Sequence, residues 1–248
     1  MLRAERITKR FGGLTAIDDV TITAPAGRIT GLIGPNGAGK TTLFAIVAGF
    51  EPPSDGCVLF EDQDITTEAT HRRTLRGIAR TFQIVQPFGA LTVRENIAVG
   101  AHLRHRARRD ALIRAERIAE RVGLGGELDK PAANLTVAGR KRLELGRALA
   151  TEPKLLLLDE VLAGLNPSEI RDVLPVIRAI RDGGVTILMV EHVMQAVIHL
   201  CEHVYVLAEG RLIAEGAPAA VCQDSAVIEA YLGRGAAGRL SAPEPGHA

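Results

Sequence analysis

Gly34-Pro35-Asn36-Gly37-Ala38-Gly39-Lys40-Thr41-Thr42 gathers in one short run the groups needed to hold a row of anionic oxygens. It fits the phosphate-loop pattern G-x-x-x-x-G-K-[ST]. Gly37 and Gly39 let the backbone curl so that successive N–H groups point into one concavity. Lys40 adds a full positive charge for outer phosphates, and the Thr41 hydroxyl is placed to ligate Mg²⁺. A helix through Leu43–Ala48 turns its positive end toward the same anion. The alternative is an ordinary glycine-rich turn between a strand and a helix. Arg28–Ile33 reads as a short apolar strand leading in, and the helical stretch follows directly, which is the setting a nucleoside triphosphate site requires.

Two further groups share one layout. Lys154–Leu158 is an uninterrupted apolar run, the mark of a parallel strand buried on both faces, and it ends in Asp159-Glu160. Val185–Val190 is a second such run and ends in Glu191-His192. A buried carboxylate pair is costly without a cation or hydrogen-bond donors. Ligands of open α/β sheets bind beyond the carboxyl ends of the strands. Asp159 and Glu160 are therefore expected to face Lys40 and Thr41. His192 reads as functional because its strand end opens on the same crevice.

The elements that position these groups follow from periodicity and punctuation. Leu2–Thr8 alternates weakly and reads as an edge strand; Ala16–Thr23 is a second strand, followed by a turn at Pro25-Ala26-Gly27. Phe11, by its spacing alone, reads as core. Beyond the loop Glu51–Gly56 come a strand at Cys57–Phe60, a basic helical turn at His71–Arg76 and a strand at Gly77–Phe82 that leads to Gln83. Thr92 and Glu95 form a capping box for a helix starting at Val93. Residues 98–122 read as helical and highly charged. Arg104, Arg106, Arg108 and Arg109, with His102 and His105, form either an anion-binding patch or a solvated face balanced by Asp110, Glu116 and Glu120, and the latter is favoured. Gly123, Gly125 and Gly126 break this stretch. Helices are predicted over Arg140–Thr151, Ser168–Arg181 and Met194–Cys201, strands over Val204–Leu207 and Arg211–Ala214, and a short helix ends near Leu232. Gly233–Ala248, rich in Gly, Ala and Pro, is expected to be a disordered tail.

Bulk composition narrows the class. A chain of 248 residues with 46% hydrophobic and 24% charged residues suits one large globular domain, or one domain with a subdomain. A formal net charge of +1 gives no electrostatic case for a nucleic-acid partner. Cys57, Cys201 and Cys222 lack metal-ligand spacing and read as reduced thiols of a cytosolic protein. No apolar run approaches the ~20 residues that cross a bilayer, and Met1–Glu5 does not begin a signal peptide.

In fixed order the chain carries a phosphate loop, Phe82-Gln83 after a strand, a helical insert, Leu135-Thr136-Val137-Ala138-Gly139, an apolar strand ending Asp159-Glu160, and His192. This set resembles the ATP-binding cassette (ABC) ATPases over nearly the whole chain. The resemblance implies an α/β phosphate-loop NTPase fold with a RecA-like, mostly parallel core sheet, an antiparallel β subdomain and a helical subdomain. It implies one ABC ATPase domain over residues 1–233, with the core at about 1–82 and 150–215, the helical subdomain at about 83–149, C-terminal helices at about 216–233, and a tail at 234–248.

Roles follow from the same resemblance. Phe11 would stack on adenine, and Asn36, Gly37, Ala38, Gly39, Lys40, Thr41 and Thr42 would hold the phosphates of ATP. Thr41, Asp159 and Gln83 would serve Mg²⁺. Glu160 would act as general base or orient the water, His192 would contact the γ-phosphate, and Gln83 would sense the attacking water beside the surface that meets a transmembrane partner. Thr136, Ala138 and Gly139 of one subunit would cover the ATP held by another. The implied partners are a second ATPase subunit, membrane permease subunits and, through them, an extracytoplasmic solute-binding protein, with no nucleic acid; the implied location is the cytoplasmic face of a bacterial membrane.

Two departures stand out. The family usually has Leu-Ser-Gly-Gly-Gln where this chain has Leu135–Gly139, so Val137 and Ala138 place β-carbons where glycines usually admit the phosphate. Asn166 stands where many members carry Asp. Arg80-Thr81-Phe82-Gln83, Leu91–Asn96, Ala163–Pro167, Val190-Glu191-His192 and Val227–Gly233 look most like the cassette of branched-chain amino acid importers, although related cassettes serve urea and amides. A phosphate-loop kinase leaves the Leu135 segment and His192 unexplained. Soluble cassettes of translation or DNA repair generally carry tandem cassettes or long coiled-coil inserts, and neither is found in this sequence.

Overall fold

The apolar strands alternate faces, and this sorts the chain into layers. The computed structural model describes residues 1–82 and 85–232. β1 (Leu2–Phe11) and β2 (Leu14–Ala24) pair antiparallel, and β3 (Ile29–Ile33) then leads through the phosphate loop into α1 (Lys40–Ala48). β4 (Asp55–Phe60), β5 (Gln63–Asp64), α2 (Thr70–Arg76) and β6 (Ile78–Arg80) follow. The helices α3 (Val93–Ala101), α4 (Arg108–Arg121) and α5 (Val137–Leu149) come before β7 (Leu155–Asp159). The chain continues through α6 (Pro167–Asp182), β8 (Thr186–Val190), α7 (Met194–Leu200), β9 (His203–Ala208), β10 (Arg211–Gly216), α8 (Pro218–Val221) and α9 (Ser225–Leu232). One sheet is antiparallel, in the order β2-β1-β4-β5, and the other runs β10-β9-β3-β8-β7-β6 with all but the β10–β9 pairing parallel. This is the α/β architecture the motifs imply.

β7 lies inside the larger sheet, and all of its residues are buried. Leu155 and Leu157 join a core shared with α1 and the antiparallel sheet, while Leu156 and Leu158 join one shared with α3, α4 and α5. Period-two alternation inside a continuous apolar run is what burial on both faces demands.

Three expectations need correction. β1 is not an edge strand but lies between β2 and β4. Its pairing with β2 slips at Ala4/Ile7, Ile7/Lys9 and Lys9/Arg10, and such irregularities blur the alternation that would have marked a central strand. The stretch 98–122 is not one helix: α3 stops at Ala101, whose carbonyl accepts from both Arg104 N (3.0 Å) and His105 N (2.9 Å), and α4 restarts at Arg108. The break directs Arg104 onto the Leu75 carbonyl (2.9 Å) and His105 onto Glu152 (3.1 Å), so these basic groups act as surface ties rather than as a patch. Phe11 is 45% exposed and is not core. The expected tail at 234–248 lies outside the described residues. Cys57, Cys201 and Cys222 are all free thiols.

Arg73 holds α1 in place. It is 1% exposed, and its guanidinium donates to four main-chain carbonyls: Ile46 (2.7 Å), Val47 (2.8 Å), Thr66 (2.8 Å) and Glu68 (2.9 Å). Two of these belong to the last turn of α1, where carbonyls have no partner within the helix. Arg73→Met removes every one of these donors, and unfolding in urea should show a loss of about 3 kcal/mol with little change in m-value.

Candidate functional site

Gly39 closes the phosphate loop at the start of α1, in the left-handed region at φ 100°. A Cβ there would lie 2.5 Å from Ile17 Cδ1 and 2.6 Å from the Ala16 carbonyl oxygen, so both the space and the backbone angle demand glycine. Gly34 is equally constrained, because a Cβ would lie 2.0 Å from the Leu207 carbonyl oxygen. The first turn of α1 has neither a capping side chain nor an acidic residue. Its leading N–H groups are left for an anion.

Lys40 is 5% exposed and folds back so that Nζ donates to the carbonyls of Gly34 (2.7 Å) and Pro35 (2.8 Å). Burial pushes its pKa down, while Glu160 first and Asp159 second pull it up. The strand-end carboxylates thus act on this ammonium, as the sequence predicted. A cleft of about 560 Å³ is lined by Phe11, residues 36–42, Glu160 and Gly210, among others. It therefore holds Asn36, Gly37, Ala38, Gly39, Lys40, Thr41 and Thr42 together with Phe11, whose ring lies 4.8 Å from Lys9 Nζ. Thr41 also lines a neighbouring cleft of about 520 Å³, with Asp159, Arg80, Phe82 and Glu144 on its walls. One helical turn of α1 thus joins two halves of a site.

The strand ends hold their acids under constraint. Glu160 has φ +49°, and its N–H donates to the Val190 carbonyl (2.9 Å), which ties the tips of β7 and β8 together. His192 Nε2 lies 2.6 Å from Glu160 Oε1. Lys141 Nζ, from α5, donates to the Glu160 carbonyl (3.2 Å). Asp159 is 3% exposed, and its Oδ2 accepts from Arg80 Nη2 at 2.6 Å. Gln83 lies outside the described residues.

Thr136, Ala138 and Gly139 do not line either cleft. The Thr136 hydroxyl caps α5 by accepting from Gly139 N (3.0 Å). Asn166 caps α6 in the same manner, accepting from Ser168 N (2.9 Å) and Glu169 N (3.0 Å). Sequence reasoning missed two site neighbours, Arg80 and Tyr231, and gave a third, Glu191, no role of its own. Arg80 sits at the end of a predicted strand, but nothing local identifies its partner. Glu191 was singled out only by its position beside His192, and it is 1% exposed with Leu162 N donating to its Oε1 (3.0 Å). Tyr231 of α9 accepts at its hydroxyl from Gly34 N (2.7 Å), a contact that no local pattern could reveal.

Comparison with known proteins meets this geometry. A family profile described as "ABC transporter" matches residues 17–163, more than half of the chain. The chain belongs to the ABC transporter ATP-binding family. As an ABC cassette it binds nucleotide and hydrolyses ATP. A second profile, "Branched-chain amino acid ATP-binding cassette transporter", matches residues 211–237. The cassette is 36% identical over 249 residues to the high-affinity branched-chain amino acid transport ATP-binding protein LivG of Escherichia coli K12, covering 94% of this chain and 98% of LivG. It is also 36% identical over 236 residues to the lipopolysaccharide export system ATP-binding protein LptB of Escherichia coli K12, covering 94% and 97%. A crystal structure of the ADP conformation of MJ1267, an ATP-binding cassette of an ABC transporter, superposes with a TM-score of 0.85 at 35% identity over 94% of this chain and 99% of that one. Among the described residues no helix is long and apolar enough to cross a membrane.

Burial pushes Glu191 up to about 7; hydrogen bonds from Leu162 and His192 oppose this, repulsion from Glu160 adds to it, and Lys141 opposes it. Its pKa is raised on folding, so its neutral form contributes stability that is complete below the unfolded value near 4.5 and is lost as pH rises through about 7. Urea unfolding between pH 5 and 8 should show stability falling with pH by up to ~1.4 kcal/mol per unit from this group, and Glu191→Gln should flatten that part of the slope.

Proposed function

We propose that this cassette drives uptake of branched-chain or related polar amino acids, working as a dimer on membrane permease subunits. The observation that carries this reading is the match of residues 211–237 to the branched-chain cassette profile. Overall identity does not discriminate, because LivG and LptB stand at the same 36%. The C-terminal match supports the branched-chain reading, and through Tyr231 that segment reaches the first glycine of the phosphate loop. The solute itself never touches this subunit.

In the proposed cycle residues 36–42 and the first turn of α1 bind the phosphates of ATP, with Phe11 against adenine. Lys40 exchanges its two carbonyl partners for the outer phosphate. Mg²⁺ fits the donor set: it takes one or two protein oxygens along with substrate phosphates and water, and Thr41 and Asp159 line one shared cleft. The described residues contain no cluster of three or more acidic, His or Cys groups of the kind that binds a metal alone. When bound, Mg²⁺ neutralises charge on the phosphates. Glu160 orients or deprotonates the attacking water, and His192, 2.6 Å from it, fixes that carboxylate and reaches toward the γ-phosphate. Gln83 is assigned to the metal and the water from the resemblance.

The resemblance assigns Thr136, Ala138 and Gly139 to the nucleotide of a second copy, and they line neither cleft of their own chain. Catalysis is then mainly positioning and electrostatic stabilisation. Residues 1–233 form the working unit, divided into core, helical subdomain and C-terminal helices as read from the sequence. The unit sits peripherally at the cytoplasmic face, with an extracytoplasmic solute-binding protein delivering cargo to the permease.

Glu160→Gln should retain ATP binding and lower turnover by about 10²–10⁴; wild-type turnover would remove Glu160 from its role. The transport reading is tested by isolating the tagged chain from its native membranes in mild detergent. Recovery with permease subunits that take up radiolabelled leucine on ATP addition supports it. Recovery with lipopolysaccharide-export subunits, or with no membrane protein, overturns it.

A further inference from the structure

We infer that Arg80 is a built-in counter-ion which pairs with Asp159 when no divalent cation is bound and competes with that cation for the same carboxylate. The inference rests on the placement of Mg²⁺ proposed above. Arg80 Nη2 lies 2.6 Å from Asp159 Oδ2, and the two side chains are only 12% and 5% exposed. A carboxylate held this far from water is costly when unpaired, so Asp159 needs a resident cation whenever no metal is bound. Lys40 acts on Asp159 only through space, because its Nζ hydrogen-bonds the carbonyls of Gly34 and Pro35.

The pairing is incomplete on the arginine side. Among the described residues the buried Nε of Arg80 has no hydrogen-bond partner, so the guanidinium is held by one edge rather than by a bidentate fork. Aromatic rings surround it: Phe50 at 5.6 Å, Phe82 at 5.7 Å and Phe44 at 6.0 Å from ring centroid to Cζ. Ring faces attract a cation without binding it in one geometry. They give the guanidinium a place to remain when the carboxylate is taken. A divalent ion at about 2.1 Å from a carboxylate oxygen would sit within a few ångströms of that guanidinium, and the two charges repel. Arg80 also lines both the metal cleft and an adjoining groove at Phe50, the two sharing Phe82, Glu144 and Arg147 as walls. Any shift it makes on metal binding is thus felt in that groove. Arg80 is a positioning residue: it aims the Asp159 carboxylate, and it sets how strongly Mg²⁺ must bind to take over.

The experiment measures ADP binding by calorimetry with and without MgCl₂, in the full chain, for wild type, Arg80→Met and Arg80→Lys. The readout is the factor by which Mg²⁺ tightens ADP binding. Removing a competing positive charge from the carboxylate should raise the factor about tenfold in Arg80→Met, and about threefold in Arg80→Lys, whose charge has a shorter reach. The nucleotide-free Met variant should melt below wild type and recover with Mg²⁺ and ADP. A purely structural arginine would lower the melting temperature but leave the factor unchanged. An unchanged or smaller factor in either variant overturns the inference, and Arg80→Lys alone decides it if the Met variant does not fold. A wild-type protein whose ADP binding is indifferent to Mg²⁺ would instead sink the metal placement, and the inference with it.

Discussion

Charge buried where water is scarce is the constraint on which the rest of this structure depends. Parallel strands deliver their carboxyl ends to one edge of the larger sheet, and Asp159, Glu191 and Lys40 arrive there 3%, 1% and 5% exposed. Each would cost several kcal/mol if left alone. Each has a specific answer. Asp159 takes Arg80, Lys40 takes two loop carbonyls, and Glu191 takes a backbone N–H and a raised pKa. The single-edged contact of Arg80 and the carbonyl contacts of Lys40 suit groups whose proposed work is to exchange partners for Mg²⁺ and phosphate.

The framework around this edge is rigid for ordinary reasons. The strands β3, β7 and β8 are buried throughout, and alternate leucines of β7 lock into two cores at once. Arg73 anchors the far end of α1, so the helix that begins at the phosphate loop cannot easily drift. The tip of β7 is tied to β8 by Glu160 N, and α5 reaches the same tip through Lys141. The helix that carries Thr136 is thereby linked to the residue proposed as base in its own chain, while Thr136 itself lines neither cleft of that chain.

The two clefts meeting at Thr41 also relate chemistry to assembly. One contains the phosphate loop and Phe11; the other contains Asp159 and Arg80 and borders an aromatic groove at Phe50 and Phe82, which are 49% and 47% exposed. Arg80 lies between Asp159 and the groove. In the transport reading, this is the short path by which the state of the nucleotide site reaches a neighbouring subunit.

The sequence by itself determined the local devices: the phosphate loop, the capping box at Thr92, the doubly buried strands and the acids at their ends. Each is fixed by residue type over a few positions, through backbone freedom, orphan amides or the period of burial. It misjudged β1, because register slips hide a central strand, and Phe11, because spacing does not say what stands opposite a ring. It joined α3 to α4, because a helix break between polar residues leaves no apolar signature. Only the tertiary structure decided which groups meet. Arg80 finds Asp159, Arg73 finds the carbonyls of α1, and Tyr231 finds Gly34 across 197 positions of chain. Such partners are chosen by how whole layers stack, and no period along the chain records them.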